Sequence, residues 1–277
     1  MNKIPWLKVL VLSVVLLSFC VGSLAFAGNI VIKGSTTVLP VAQKAAEDFM
    51  KMNAGINISV SGGGSGNGIK AIIDGTTDIA DSSRFIKEKE IRLAMEKGVL
   101  PVPHRVAMDC VVPVVHPTNP LNDISMVRLK DIYTGKTTNW RELGGKDKPI
   151  VVISRDTSSG TYEVWHEKVL RKEKVTPKAL LQASNGAVAQ VVAKNKYAIG
   201  YIGIGYLNKD VKALKVDRVE ASTTTALNGT YPVSRPLFMF TNGWPTGDVM
   251  SFINFVVGPA GQKIAEEEGY VPLYSVD

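Results

Sequence analysis

Three times along this chain a short β-rich run passes, through a turn of glycines and hydroxyl residues, into a run patterned as a helix. The first unit is 29–33, then Gly34-Ser35-Thr36-Thr37, then 38–50. There Val41, Ala45, Phe49 and Met52 recur at near-helical spacing, and Pro40 fits the first turn. In the second, 56–60 alternates as a strand, a glycine-rich turn spans 61–68, and 69–73 opens a short helix that stops at Asp74-Gly75. The third is 149–153, the turn 154–160 and the helix 161–170; a weaker fourth places Ser184-Asn185-Gly186 before 187–193. Strands alternating with helices imply an α/β fold with largely parallel sheets. Because the third unit starts more than 110 residues after the first, two lobes are expected. The apolar runs 106–115 and 236–240 are candidates to carry the chain out and back. Lobe 1 is then 28–107 with 236–277, lobe 2 is 108–235, and 248–268 reads as helix broken at Gly258-Pro259.

The first 27 residues stand apart from this pattern. Lys3 and Lys8 precede an apolar stretch, 9–17, interrupted only by Ser13, and small residues end at Ala25-Phe26-Ala27. That order is the pattern of a cleaved secretory signal peptide, and a membrane-spanning anchor needs about 20 apolar residues. A lipid anchor at Cys20 is disfavoured by the bulky Phe19 before it. Cleavage after Ala27 leaves 250 residues and lowers the formal charge from +7 to +5. It also leaves one cysteine, Cys110, in an apolar run where a buried, inert strand thiol is expected. Export and a periplasmic location follow, with no disulfide framework.

A helix start exposes N–H groups without intrahelical partners and carries partial positive charge. Glycine allows close approach to that backbone, and Ser or Thr adds rotatable donors, so such a turn is a ready anion site. A single Ser-Gly turn is usually just a cap, but three of them in one chain, if they converge, surround an anion with neutral donors. Arg155 lies in the third turn, where a guanidinium can grip an oxyanion with two N–H groups. Asp156 beside it either orients that arginine or caps the turn, and Arg84 is a second candidate cation.

Competing chemistries fail on spacing. Gly145-Lys146 is followed by Asp147 and makes no P-loop, and the glycines of 62–68 do not space as a dinucleotide fingerprint. Neither Ser65 nor Ser159 sits in a nucleophile elbow, and His104, His116 and His166 share no metal-ligand spacing. No catalytic residues, metal or cofactor are therefore expected. Lysines interleave with Glu167 and Glu173 as on a solvated face, which disfavours a nucleic-acid partner.

Five segments stand in order: 34–40, 63–70, 77–84, 154–161 and 198–203. With them the chain resembles the periplasmic phosphate-binding proteins of the bacterial high-affinity phosphate ABC importer, along nearly its whole mature length. The resemblance implies the type II periplasmic-binding-protein fold, two α/β lobes with two chain crossovers closing on one phosphate. It also implies a monomer that delivers phosphate to an ATP-driven membrane permease without bond chemistry. Carried over by position, the phosphate contacts are Thr36 and Thr37, then Ser65, and finally Arg155, Ser159, Gly160 and Thr161; Ser35, Ser83 and Arg84 complete the expected set. One position departs: where members of the family carry a proton-accepting aspartate, this chain has Ser83, with Asp81 two residues earlier. A carboxylate there rejects sulfate, which has no proton to give. Phosphate must otherwise be selected by Ser83, a carbonyl, Asp81 or Asp156. A binding protein for another tetrahedral oxyanion and a secreted phosphatase-type hydrolase are the alternatives.

Overall fold

The computed structural model describes residues 28–275, so the expected signal peptide and Cys20 lie outside the described residues. Strand β1 (Gly28–Gly34) turns inward at Ile30 and Ile32, and leads into α1 (Leu39–Met52), with Pro40 in its first turn. Helix α1 buries Val41, Ala42, Ala45, Ala46 and Phe49, whereas Met52 falls outside the apolar stripe and is exposed. Full burial of Val41 or Phe49 is worth about 1.5–3 kcal/mol each, which fixes the helix against the sheet. Strand β2 (Ile56–Gly62), α2 (Ser65–Ile73), β3 (Ile79–Ser82) and α3 (Glu88–Glu96) complete this part of the chain.

Strand β4 (Pro101–Val115) then runs for 15 residues, about 50 Å at strand rise. After β5 (Asp123–Ile124) and α4 (Met126–Thr134) comes a second set of strand–turn–helix units. It consists of β6 (Val151–Arg155), α5 (Gly160–Lys168), β7 (Leu180–Gln182), α6 (Asn185–Lys194) and β8 (Ala198–Gly203). Short strands β9 (Lys212–Ala213) and β10 (Lys215–Val216) and helix α7 (Thr223–Leu227) lead to β11 (Ser234–Asn242), α8 (Gly247–Val257) and α9 (Pro259–Glu267).

Among the described residues nine strands form one curled sheet in the order β2-β1-β3-β11-β4-β8-β6-β7, with β9 added on β4, and β5 and β10 pair separately as a two-stranded sheet. Pairing is parallel within β1, β2 and β3 and within β8, β6 and β7; it is antiparallel where β11 and β4 enter. The first part of β4 pairs with β11, and residues 111–115 pair with β8, so β4 is shared by two halves of the sheet. The buried apolar residues divide accordingly. One cluster holds Ile30, Ile32, Phe49, Leu237 and Phe252, while another holds Val111, Tyr133, Trp165, Val188 and Tyr201. The C-terminal Val271 joins the second cluster through a bridge to Met108. The result is a two-lobed α/β fold in which β4 and β11 cross between the lobes. Cys110 lies buried at this crossing, where desolvation and the neighbouring Asp109 push its thiol up to about 12.

Candidate functional site

Parallel strands send their C-terminal ends toward the same edge, so the turns after β1, β2, β6 and β7 all open toward the line between the lobes. Four helix starts meet there. The Thr37 hydroxyl lies 3.0 Å from that of Thr161, the second residue of α5. Asn185, the first residue of α6, donates to the hydroxyls of Thr36 and Thr37 at 3.2 and 3.0 Å. Ser65, opening α2, lies 3.3 Å from the Ser83 hydroxyl and also accepts the Ser83 backbone N–H at 3.0 Å. The facing turn touches α2 directly, since Gly66 N–H donates to the Ser158 carbonyl at 2.9 Å. Only glycine fits at 160: a Cβ there would stand 2.3 Å from Ser65 Oγ and 2.7 Å from Ser83 Oγ.

Local chemistry shapes each turn. Ser35 Oγ accepts the Thr37 N–H at 3.1 Å, which curls the first turn and points its hydroxyls inward. Ser159 Oγ caps α5 by accepting the Tyr162 N–H at 3.2 Å. Helix α5 is seated by Trp165, whose ring stacks on Tyr201 with centroids 4.4 Å apart. The Tyr201 hydroxyl lies 2.9 Å from Ser154 Oγ and accepts the Arg155 N–H at 3.1 Å, tying the end of β6 to the same anchor. Ser35, Thr36, Thr37, Ser65, Ser83, Arg155, Ser159 and Thr161 are all buried.

Two arginines supply charge. Arg155 is 1% exposed; its Nε and Nη2 donate to the carbonyls of Gln182 and Ala183, both at 3.0 Å, while buried Nη1 has no protein partner. Burial draws its pKa below the ordinary guanidinium value, but an arginine stays charged throughout the physiological range. Arg235, at the start of β11, pairs with Asp109 of β4 at 2.7 and 2.8 Å. Its Nη2 reaches the hydroxyls of Thr37 and Thr161 at 3.2 and 3.0 Å, and its Nη1 is likewise buried without a partner. Burial pushes the Asp109 carboxyl up, while Arg235 and the Ile204 N–H at 2.9 Å draw it back. Isolated carboxylates and guanidiniums are expensive to bury, so this pair holds only as a pair.

The other expected residues lie differently. Arg84 gives its guanidinium to carboxylates, Glu90 at 2.7 Å and Glu163 at 2.6 Å, rather than to the hydroxyl cluster. Asp81 faces the apolar interior, 1% exposed, with neither oxygen partnered, and burial raises its carboxyl well above the usual range. Asp156 accepts the Ser158 N–H at 2.9 Å and so caps the turn. Sequence reasoning missed Asn185, Asp109 and Arg235. The signal for the last two was weak: a lone charge inside or beside an otherwise apolar strand run.

The assembled group is rich in donors: six hydroxyls, the first-turn amides of α5, and two arginines of which one is neutralised by Asp109. Among the described residues no three His, Cys, Asp or Glu side chains could hold a metal together. The histidines lie apart from the cluster: His104 pairs with Thr241, His116 with Thr118, and His166 stacks on Tyr162. Such a surround suits a small, fully desolvated anion gripped between two lobes, the chemistry of an oxyanion-binding protein.

Comparison with known proteins agrees. The PBP superfamily domain matches residues 22–260. Protein SphX of Synechococcus elongatus is 35% identical over 257 residues, covering 87% of this chain and 76% of the relative. Phosphate-binding protein PstS of Bacillus subtilis is 34% identical over 249 residues, covering 89% and 81%. Among solved structures, one from Clostridium perfringens with bound phosphate, described as a phosphate ABC transporter substrate-binding protein, has a TM-score of 0.83 at 36% identity and covers 89% of this chain and 100% of that one. An ABC-type phosphate transport receptor from Vibrio cholerae has a TM-score of 0.71 at 30% identity, covering 87% and 99%. The chain belongs to the PBP superfamily and, within it, to the phosphate-binding protein PstS family.

Proposed function

We propose that the protein captures inorganic phosphate between its lobes and hands it to a membrane ABC permease, acting as an exported, monomeric solute-binding protein. The observation that carries this reading is the convergence of four helix starts on one buried point together with two arginines, each holding an unpartnered N–H. The proposed contacts are Thr36, Thr37, Ser65, Ser83, Ser159, Gly160, Thr161 and Arg155, with Arg235 and Asn185 added. Ser35 shapes the first turn behind them. The names of the relatives support phosphate as the ligand and an ABC transporter as the partner. Apart from Val271, which packs with the second cluster, the division of the buried clusters supports lobes of 28–107 with 236–277 and of 108–235. No helix of the described residues is long and apolar enough to cross a membrane. The reading requires no bond to be made or broken, and closure with release suffices.

A second reading rests on Ser83. With a hydroxyl in place of the family's carboxylate, and with Asp109 already committed to Arg235, a fully ionised oxyanion such as sulfate meets no opposing charge. Equilibrium dialysis of the mature chain against radiolabelled phosphate, with unlabelled sulfate as competitor, separates the two. Stoichiometric retention that sulfate leaves intact supports the phosphate reading. Displacement by sulfate at comparable concentration transfers the assignment to tetrahedral oxyanions in general.

A further inference from the structure

The rim of the lobe interface carries a second charged group, outside the anion cluster. Arg84 follows Ser83 in the chain and is 7% exposed. Its two terminal nitrogens form a forked pair with Glu90, at 2.8 and 2.7 Å, within lobe 1. Its Nε stands 2.6 Å from Oε2 of Glu163, on α5 of lobe 2; this is a contact between charges, since the N–H is not aligned on that oxygen. Lys87 of lobe 1 reaches the same Glu163 oxygen at 2.7 Å. One carboxylate from lobe 2 is thus held by two cations from lobe 1.

The lobe 1 half of this group is complete without Glu163. Glu90 accepts the Lys87 N–H at 2.9 Å as part of the cap of α3, and holds Arg84 in place at the same time. Its balance of Arg84 and Lys87 against Glu90 leaves one positive charge, which Glu163 neutralises. Position couples this contact to the anion site. Glu163 lies three residues beyond Gly160, about 5 Å along α5, and Arg84 is the neighbour of Ser83. Glu163 therefore reaches Arg84 and Lys87 only when Gly160 is seated on Ser65 and Ser83.

We propose that Glu163 is an affinity-determining residue, a carboxylate catch that engages on closure and slows escape of the bound anion. Resting on the phosphate reading for its ligand, the catch acts on dissociation because it forms after the anion has entered. It touches no ligand. In the open protein Arg84 remains satisfied by Glu90, so loss of Glu163 leaves lobe 1 folded.

The test is stopped-flow kinetics of phosphate binding and release on the wild-type chain, Glu163→Gln and Lys87→Met. The same kinetics are run with sulfate as a second tetrahedral oxyanion. Glu163→Gln is expected to raise the dissociation rate about tenfold while the association rate stays within about twofold. Lys87→Met, which removes one of the two cations at a more exposed position, shifts dissociation the same way by less. Equal dissociation rates in wild type and both variants overturn the proposal. If the wild type binds no phosphate, the ligand assignment fails, and release of sulfate then decides the catch: faster sulfate release from Glu163→Gln supports it, and an equal rate overturns it.

Discussion

In lobe 1 the strand-to-helix turns offer only neutral groups to the shared point, the hydroxyls of Thr36, Thr37 and Ser65. In lobe 2 the equivalent turn brings Arg155 together with Ser159 and Thr161. The charged half is also the more rigidly prepared, because Arg155 is fixed by two carbonyls and by the Tyr201 anchor before any ligand arrives. On the proposed reading, the turns of the neutral half carry no charge to attract an anion and contribute on closure. Arg235, from the crossing strand, touches hydroxyls of both halves and links them. On the proposed reading, the comparison teaches that attraction and enclosure fall to different lobes, so affinity depends on their meeting.

The largest expected effect breaks the link between the halves. Arg235→Ala leaves Asp109 buried without its partner, and unfolding free energy should fall by about 3–5 kcal/mol, read from urea denaturation. An unchanged midpoint would mean that Asp109 is neutral in the folded protein and the pair is not ionic. Next comes the charged half: Arg155→Ala should weaken phosphate binding by roughly 2–5 kcal/mol, a factor of about 30 or more by titration, with the fold retained. Affinity within threefold of wild type would remove Arg155 from the site. The meeting of the halves is tested by Gly160→Ala. Its new methyl intrudes on Ser65 and Ser83, so binding should weaken about tenfold or more while thermal stability changes little.

The last effect lies away from the site and sharpens the contrast between paired and unpaired carboxylates. Burial raises the Asp81 carboxyl above its unfolded value, so its favourable contribution is complete at pH below that unfolded value. It is lost as pH rises through the raised folded value. Asp81→Asn should therefore match wild type in Tm near pH 4 and gain on it progressively toward about pH 8. A constant difference across that range would show that Asp81 titrates alike in the folded and unfolded chains, so that burial has not raised its carboxyl.

Much of this site could be read in the sequence because its parts are local. A run of Gly, Ser and Thr between an alternating strand and an amphipathic helix names a turn, and the turns at 34–37, 61–68 and 154–160 stand where the helix starts converge. What could not be read is assembled across distance. Asp109 and Arg235 are 126 residues apart and meet only because β4 and β11 pair antiparallel at the crossing. Arg84 looked like a ligand-binding arginine from its place beside Ser83. Its partners Glu90 and Glu163 come from two other helices, which no local pattern announces. Asn185 was visible only as the weakest of four similar turns, and its role follows from the sheet order that places β7 at the end of lobe 2.

The most direct measurement is calorimetric titration of the mature, anion-stripped protein with phosphate and then with sulfate, beside the same titration of Arg155→Ala. The account predicts one tight phosphate site per chain, little or no heat from sulfate, and collapse of the phosphate signal in the variant. Tight phosphate binding that survives loss of Arg155, or no phosphate binding at all, would contradict the claim that the buried meeting point of the lobes is the anion site.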